Sequence, residues 1–349
     1  MKTLDFSALA RQNIRSLTAY EAKEIPCNVK LDANESPYAP NLAIDPALIA
    51  RLNRYPDPQG AALKNALAKE FRVNCSTLLL GNGSDEIILN IITAFGGPVL
   101  YPVPTFSMYG IISQTVGVQG IGIPLQRDFS LDRKKMIAAI RKLQPQLVFL
   151  SSPNNPTGNT FSRTDIEDIL RVTSGLVVVD EAYQPFSSQR SFVPDLAKYR
   201  NLAVLRTFSK IGLAALRLGY LIADPGLIAE VNKVRLPYNV NSLSQALALD
   251  AMRRKAEMKA SVKNIVAERK RLAKELRSVR GITAFPSEAN FILLQVADAE
   301  GVYKKLIDTG VLVRYLGSAI SNTLRVTIGT PEENAAFFAA LKNILKERS

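Results

Sequence analysis

The chain contains no histidine and no tryptophan, and only two of its 349 residues are cysteines. Without histidine there can be no serine–histidine–acid triad, histidine zinc site or histidine general base. Proton transfer must fall to a lysine, a tyrosine or a carboxylate. Cys27 and Cys75 give neither metal-ligand spacing nor a disulfide framework, so no metal is expected and a reducing cytoplasm is the expected home. No apolar run is long enough to span a bilayer. The start, MKTLDFSALARQ, lacks the hydrophobic stretch of a secretory signal. Internal repeats and low-complexity linkers are also missing.

The remaining composition, 47% hydrophobic and 21% charged, is that of an ordinary globular protein long enough for two domains. The net charge of +13 raises the question of a nucleic-acid or lipid partner. Its basic runs, RKK (133–135), RRK (253–255) and RKR (269–271), lie in helix-like sequence with acidic neighbours and no aromatic interleaving. They read as solvated helix faces, with no nucleic acid and no membrane as partners.

Along the middle third, short apolar runs feed polar turns. QLVFL (146–150) runs into SSPNNPTGN, GLVVV (175–179) into DEAY, and LAVL (202–205) into RTFSK, with LGYLIA (218–223) following. Such runs alternating with helical sequence predict an α/β fold, its parallel sheet covered on both faces. From about Arg254 to Val279 the apolar positions Met258, Val262, Ile265, Leu272 and Leu276 keep a helical period and leave the basic residues outside. ITAFPSEANFILLQV (282–296) and TLRVTIG (323–329) read as strands of a smaller α+β unit. A closing helix begins with Thr330 as cap, Pro331 at its first position and Glu333 completing a capping box. The expected division is a large domain, 31–255, and a small one formed by 256–349 with the N-terminal arm 1–30.

Ligands of open parallel sheets sit outside the carboxyl ends of the strands. Three predicted strands end in Asn154 and Asn155, in Asp180 and Tyr183, and in Ser209 and Lys210, which would meet at one crevice. Asp180, directly after VVV, is costly to desolvate without a partner. It reads either as a cap of the following element or as the partner of a protonated pyridine nitrogen. GNGSDEIILNII (81–92) places glycines, Ser84 and Asp85 at a helix start, which is either an ordinary capped turn or an anion site. A dinucleotide fingerprint fails there, since Glu86 stands at the third glycine position and the preceding strand is poorly patterned. A Walker loop is also absent. Lys210, confined near Arg217 and away from water, is expected to have its ammonium form disfavoured and its amine available to an aldehyde. With Ser209, Arg217 and the 81–85 turn around a phosphate and Asp180 at a ring nitrogen, the pattern describes pyridoxal phosphate.

SPNNPTG, VVDEAY, and SK followed by an arginine resemble the fold-type I pyridoxal-phosphate aminotransferases. SLTAY (16–20), LDANESPYAP (31–40), RYPDPQG (54–60), PTFSMY (104–109) and LRVTIGT (324–330) narrow the resemblance to the histidinol-phosphate branch, nearly end to end. The resemblance implies that Lys210 carries the cofactor 5'-phosphate ester through its aldehyde and shuttles the proton. Asp180 would pair with the pyridinium, and Asn155 and Tyr183 with the ring oxygen. Phe106 would stack on the ring, and Ser84, Asp85, Ser209 and Arg217 would grip the phosphate. Tyr55 would reach that phosphate from a neighbouring subunit, making the protein a homodimer with shared sites. Lys210 and Arg217 stand seven residues apart, one fewer than in many relatives. Arg325, with Tyr20, Asn34 and Arg314 as companions, would bind substrate; the competing readings of these companions are a surface tyrosine, a turn asparagine and a solvated arginine. The implied reaction exchanges an amino group between L-histidinol phosphate and 2-oxoglutarate. An aromatic amino acid aminotransferase and a threonine-phosphate decarboxylase are the alternatives.

Overall fold

The computed structural model describes residues 5–19 and 24–346. After the short β1 (Val29–Lys30) come β2 (Leu78–Gly81), β3 (Val99–Val103), β4 (Gly120–Pro124), β5 (Leu147–Ser151), β6 (Leu176–Asp180), β7 (Leu202–Thr207) and β8 (Gly219–Ala223). These seven form one sheet in the order β2-β8-β7-β6-β5-β3-β4. The pairs from β7 through β4 are parallel, and β8 runs antiparallel to both β7 and β2. LGYLIA is therefore the one exception to the parallel order expected from the sequence. The reason is length: the connection 208–218 holds only two tight turns, too little chain for the crossover that a parallel neighbour requires. The poorly patterned LLLG before the 81–85 turn also forms a fully buried strand, because both its faces are covered.

Side-chain alternation explains that covering. Val148, Leu150, Val177, Val179, Leu202 and Val204 point to one face. There they pack on Leu63 and Leu67 of helix Ala61–Phe71, Met136 and Ile140 of Arg133–Leu143, and Ile166 and Ile169 of Arg163–Val172. Leu147, Phe149, Leu176, Val178, Ala203 and Leu205 point to the other. They meet Ile87, Ile88, Ile91 and Ile92 of helix Ser84–Phe95 and Ile228 and Val231 of Pro225–Val234. Each fully buried Leu or Ile contributes about 1.5–3 kcal/mol, so continuous apolar strands are stable only between two such layers.

The chain leaves this sheet through the 23-residue helix Lys255–Arg277. A second sheet follows, from β9 (Ile282–Ala284), β10 (Phe291–Val296), β12 (Arg314–Tyr315) and β13 (Thr323–Thr327) in the order β12-β13-β10-β9, all antiparallel. β11 (Val311–Leu312) pairs instead with β1. The stretch 282–296, expected as strand, folds back on itself as β9 and β10, because the Pro286–Asn290 turn reaches across to the first sheet: Glu288 N–H donates to Gly158 O at 2.7 Å. The closing helix Pro331–Lys346 has its capping box: Thr330 N–H donates to Glu333 Oε2 at 2.8 Å, and Glu333 N–H to Thr330 Oγ1 at 3.2 Å.

One basic residue departs from the solvated-face reading. Arg269, in the RKR run, is only 6% exposed and donates from Nη1 to Phe186 O and Ala289 O, at 3.2 and 2.7 Å. Its neighbour Lys270 is exposed as expected. Helical geometry turns only one of those two positions inward. Arg269 thereby ties the segment after β6 to the turn before β10. Arg269→Ala should cost about 2–4 kcal/mol by leaving two buried carbonyls without a donor. The measurement is urea unfolding, where an unchanged midpoint would show that water replaces the guanidinium.

Candidate active site

The carboxyl ends of β2, β5, β6 and β7 share one edge of the large sheet, and the candidate residues sit there. Asp180 is the last residue of β6 and 4% exposed. Its Oδ1 accepts from Ala182 N–H at 3.0 Å and its Oδ2 from the Tyr109 hydroxyl at 2.7 Å. The local cap and the buried acid are thus the same residue. Burial pushes its pKa from the usual 3.8 to about 6, with Asp85 and Glu181 adding to the rise while Tyr109 and Ala182 oppose it. Directly beyond it, Glu181 forms a buried ion pair with Arg206 on β7, at 3.0 Å from Nε and 2.6 Å from Nη2, which locks the ends of the two strands together.

Tyr183 follows on the same loop. Its hydroxyl accepts from Asn34 Nδ2 at 2.9 Å, and the Lys210 Nζ lies 5.9 Å from its ring centre. Asn34 is a turn residue at φ +55°, but a buried one, held by Thr327, whose Oγ1 accepts from Asn34 N–H at 2.9 Å. Lys210 occupies a 3₁₀ turn, Ser209–Ile211, after β7, released by Gly212 at φ +104°. It is partly exposed, and Arg217 is exposed, so the pair is not shut away from water as the sequence reading expected. The turns 209–211 and 214–216 place both residues at the open rim of the edge. Ser209 is buried and bonded to Thr207 Oγ1 at 2.8 Å.

The turn of β2 into helix Ser84–Phe95 leaves the helix start without a side-chain cap. Its first N–H groups and the helix dipole therefore favour an anion there. Arg217 closes over this turn: its Nη2 lies 3.1 Å from Asp85 Oδ2 and would be 2.8 Å from a Cβ at Gly83. Glycine is favoured at 83 by its φ of +86°. Since Asp85 engages Arg217 with its carboxylate, its backbone N–H is the group left to face an anion.

Arg325, on β13, donates from Nη1 to Asn155 Oδ1 at 2.7 Å and from Nη2 to Asp32 O at 2.6 Å. Asn155 is thus brought to Arg325, a pairing the sequence reading did not include, and its Nδ2 is its remaining donor. Arg314 lies directly cross-strand from Arg325 and is exposed. Asn154 turns away: its side chain bonds Thr105, Thr157 and Pro104 O, holding the loop itself. Phe106 is partly buried, edge-on to Tyr109 with centroids 5.7 Å apart. Tyr55 stands 81% exposed, stacked on Tyr238 at 4.5 Å. Tyr20 lies outside the described residues. Sequence reasoning missed Tyr109, although PTFSMY places it three residues after Phe106, one helical turn away, and a buried tyrosine hydroxyl needs a partner.

These residues fit pyridoxal phosphate. Asp180 is a buried carboxylate whose hydrogen-bond partners are a phenol and a backbone N–H, neither of them a cation, which suits a protonated ring nitrogen. The uncapped helix start, Ser209 and Arg217 suit a phosphate, and Lys210 an aldehyde. Among the described residues no cluster of His, Cys, Asp or Glu could hold a metal ion.

The Asp180 carboxyl gives a pH test on the cofactor-free protein. Its folded pKa lies above the unfolded one, so the folded state binds the extra proton and stability is lost as pH rises from about 4 to about 6. Asp180→Asn should therefore leave stability unchanged below pH 4 and raise it by up to about 3 kcal/mol above pH 6, at about 1.4 kcal/mol per pH unit. Urea unfolding across that range reads the difference; a gain independent of pH would contradict the assignment.

Comparison with known proteins identifies the family of the chain. The family model for aminotransferase class I and II matches residues 27–341. Histidinol-phosphate aminotransferase 1 of Ralstonia nicotianae is 44% identical over 97% of this chain and 95% of its own. The histidinol-phosphate aminotransferase of Thermoanaerobacter sp. is 41% identical over 97% of this chain and 99% of its own. The fold matches that of the histidinol-phosphate aminotransferase from Sinorhizobium meliloti, solved in complex with pyridoxal-5'-phosphate, with a TM-score of 0.84, 23% identity, and 97% and 98% of the two chains covered. The chain belongs to the class I and II aminotransferases.

Proposed function

We propose that this aminotransferase moves the amino group of L-histidinol phosphate to 2-oxoglutarate, giving imidazole acetol phosphate and L-glutamate in histidine biosynthesis, with pyridoxal 5'-phosphate as cofactor. The observation that carries the proposal is the convergence of Lys210, Asp180 and the Arg217-covered helix start on one sheet edge, in a chain 41–44% identical over nearly its whole length to enzymes of that name.

Bound pyridoxal phosphate supplies an electron sink for the substrate's α carbon. Lys210 is the residue that would hold its aldehyde, and its Nζ would be the group to move the proton at that carbon. Asp180 would face the ring nitrogen, Tyr183 and Asn155 the ring oxygen, and Phe106 the ring face. Ser84 and Asp85 through their N–H groups, Ser209 through its hydroxyl and Arg217 through its guanidinium hold the phosphate. Arg325, Arg314, Asn34 and Tyr20 are assigned to the substrate. Support for an anionic substrate comes from Arg314 and Arg325, which stand directly opposite across β12 and β13 and bring two positive charges to one face of the second sheet.

The same reading divides the chain into a large cofactor domain, 31–255, and a small domain of 256–349 with the arm 1–30. It is supported by a second hydrophobic cluster that gathers Ile265, Phe291, Val326 and Phe337 and reaches the large domain at Leu31, Ala182, Tyr183 and Phe186. It makes the protein a cytoplasmic homodimer in which Tyr55 completes the partner's site, supported by the exposed, stacked Tyr55 and Tyr238. No helix among the described residues is long and apolar enough to cross a membrane.

The decisive experiment is the absorbance spectrum of the purified, cofactor-loaded protein. A visible band of lysine-bound cofactor should bleach on adding L-histidinol phosphate and return with 2-oxoglutarate. A band that ignores histidinol phosphate would move the substrate to an aromatic amino acid or to phosphothreonine, and Lys210→Ala with full activity would sink the site itself. Mixing inactive Tyr55→Ala and Lys210→Ala chains should restore up to about a quarter of wild-type activity if sites are shared, by random pairing of subunits. No recovery in verified mixed dimers would count against sharing.

A further inference from the structure

We infer that Tyr109 is a positioning residue, whose hydroxyl holds the Asp180 carboxylate in place and keeps it in its charged form. The inference rests on the proposed reading that Asp180 faces the cofactor's ring nitrogen. Tyr109 is fully buried in helix Met108–Val116. Its ring stacks on Phe149 of β5 with centroids 4.8 Å apart, meets Phe106 edge-on at 5.7 Å, and lies 6.1 Å from Tyr101. Three aromatic neighbours leave the hydroxyl little freedom, and it points at Asp180 Oδ2 at 2.7 Å.

The chemistry of that partner matters. A carboxylate with one backbone N–H as its only donor, at this depth, would take up a proton. A lysine or arginine in Tyr109's place would cancel the charge that a pyridinium needs. A phenol does neither: it solvates the anion and leaves the negative charge in place. Burial and the Asp180 charge hold the phenol's own pKa well above its usual value, so it remains a donor at every working pH.

Other groups face this pair. Asp85 and Glu181 both press Asp180 towards protonation, though Glu181 is neutralised by Arg206. Tyr183 faces Tyr109 from the loop after β6, Ser151 of β5 lies beside the phenol, and Lys210 stands over Tyr183. Among the influences favouring the charged form of Asp180, the Tyr109 hydroxyl is the largest, ahead of the Ala182 N–H.

Tyr109→Phe keeps the stacked ring and removes only the hydroxyl, so it isolates this interaction. The experiment compares wild type, Tyr109→Phe, Asp180→Asn and the double variant, stripped of cofactor, by urea unfolding from pH 4 to 9. The contribution of Asp180 is the difference from the matching Asp180→Asn protein. Its midpoint should move about one pH unit higher in Tyr109→Phe, the loss of one hydrogen bond to a charged group. Affinity for pyridoxal phosphate should fall about fivefold at pH 6, where the ionised fraction of Asp180 drops from about one half to about one tenth, and converge with wild type by pH 8. An unmoved midpoint, or a pH-independent loss of affinity, would overturn the inference and leave the site reading standing. A wild type that takes up no pyridoxal phosphate would overturn both.

Discussion

A carboxylate at the end of a wholly buried strand is the constraint around which this molecule is arranged. Leu176, Val177, Val178 and Val179 draw β6 into the middle of the sheet, where both faces are covered, and Asp180 is carried in with them. The charge then has to be met by donors that the neighbouring elements supply. Tyr109 comes from a helix on one face of the sheet, and the Ala182 N–H from the loop's own turn. The buried pair of Glu181 and Arg206 fixes the adjoining strand end, so the geometry around Asp180 is not free to relax. An ion pair of this kind contributes little net stability, but breaking one side of it is costly, which makes it a good device for holding two strand ends in register.

The second sheet reaches the same edge through side chains. Arg325 on β13 bonds Asn155 in the loop after β5, and Asn34, itself bonded to Thr327 of β13, bonds Tyr183 in the loop after β6. Arg269 adds a third tie, between the segment after β6 and the turn before β10. Residues assigned to the substrate are thus mechanically linked to residues assigned to the cofactor. Arg325 and Asn155 are joined directly, by a 2.7 Å hydrogen bond.

The covered parallel strands, the long helix from Lys255, the capping box at Thr330 and the grouping of Asp180, Tyr183, Ser209 and Lys210 were legible in the sequence, because each depends on local pattern or on strand ends sharing one edge. Arg269 was misread because its RKR context is polar and only one of three adjacent basic residues turns inward. The direction of β8 was missed because apolar alternation carries no information on strand polarity. Tyr109 was missed because its partner lies 71 positions away.

By itself, then, the sequence determined the chemistry on offer: a lysine in place of histidine for proton work, an acid after a run of valines, glycines before a helix start. Periodicity and composition are properties of neighbouring residues, and they decide which elements form and which groups their ends carry. Only the tertiary structure decided which of those groups meet. Tyr109 with Asp180, Asn34 with Tyr183 and Arg325 with Asn155 are contacts between segments distant in the chain, set by how layers stack and sheets abut. Partners of that kind satisfy buried charge and polarity through three-dimensional proximity, which no local pattern encodes.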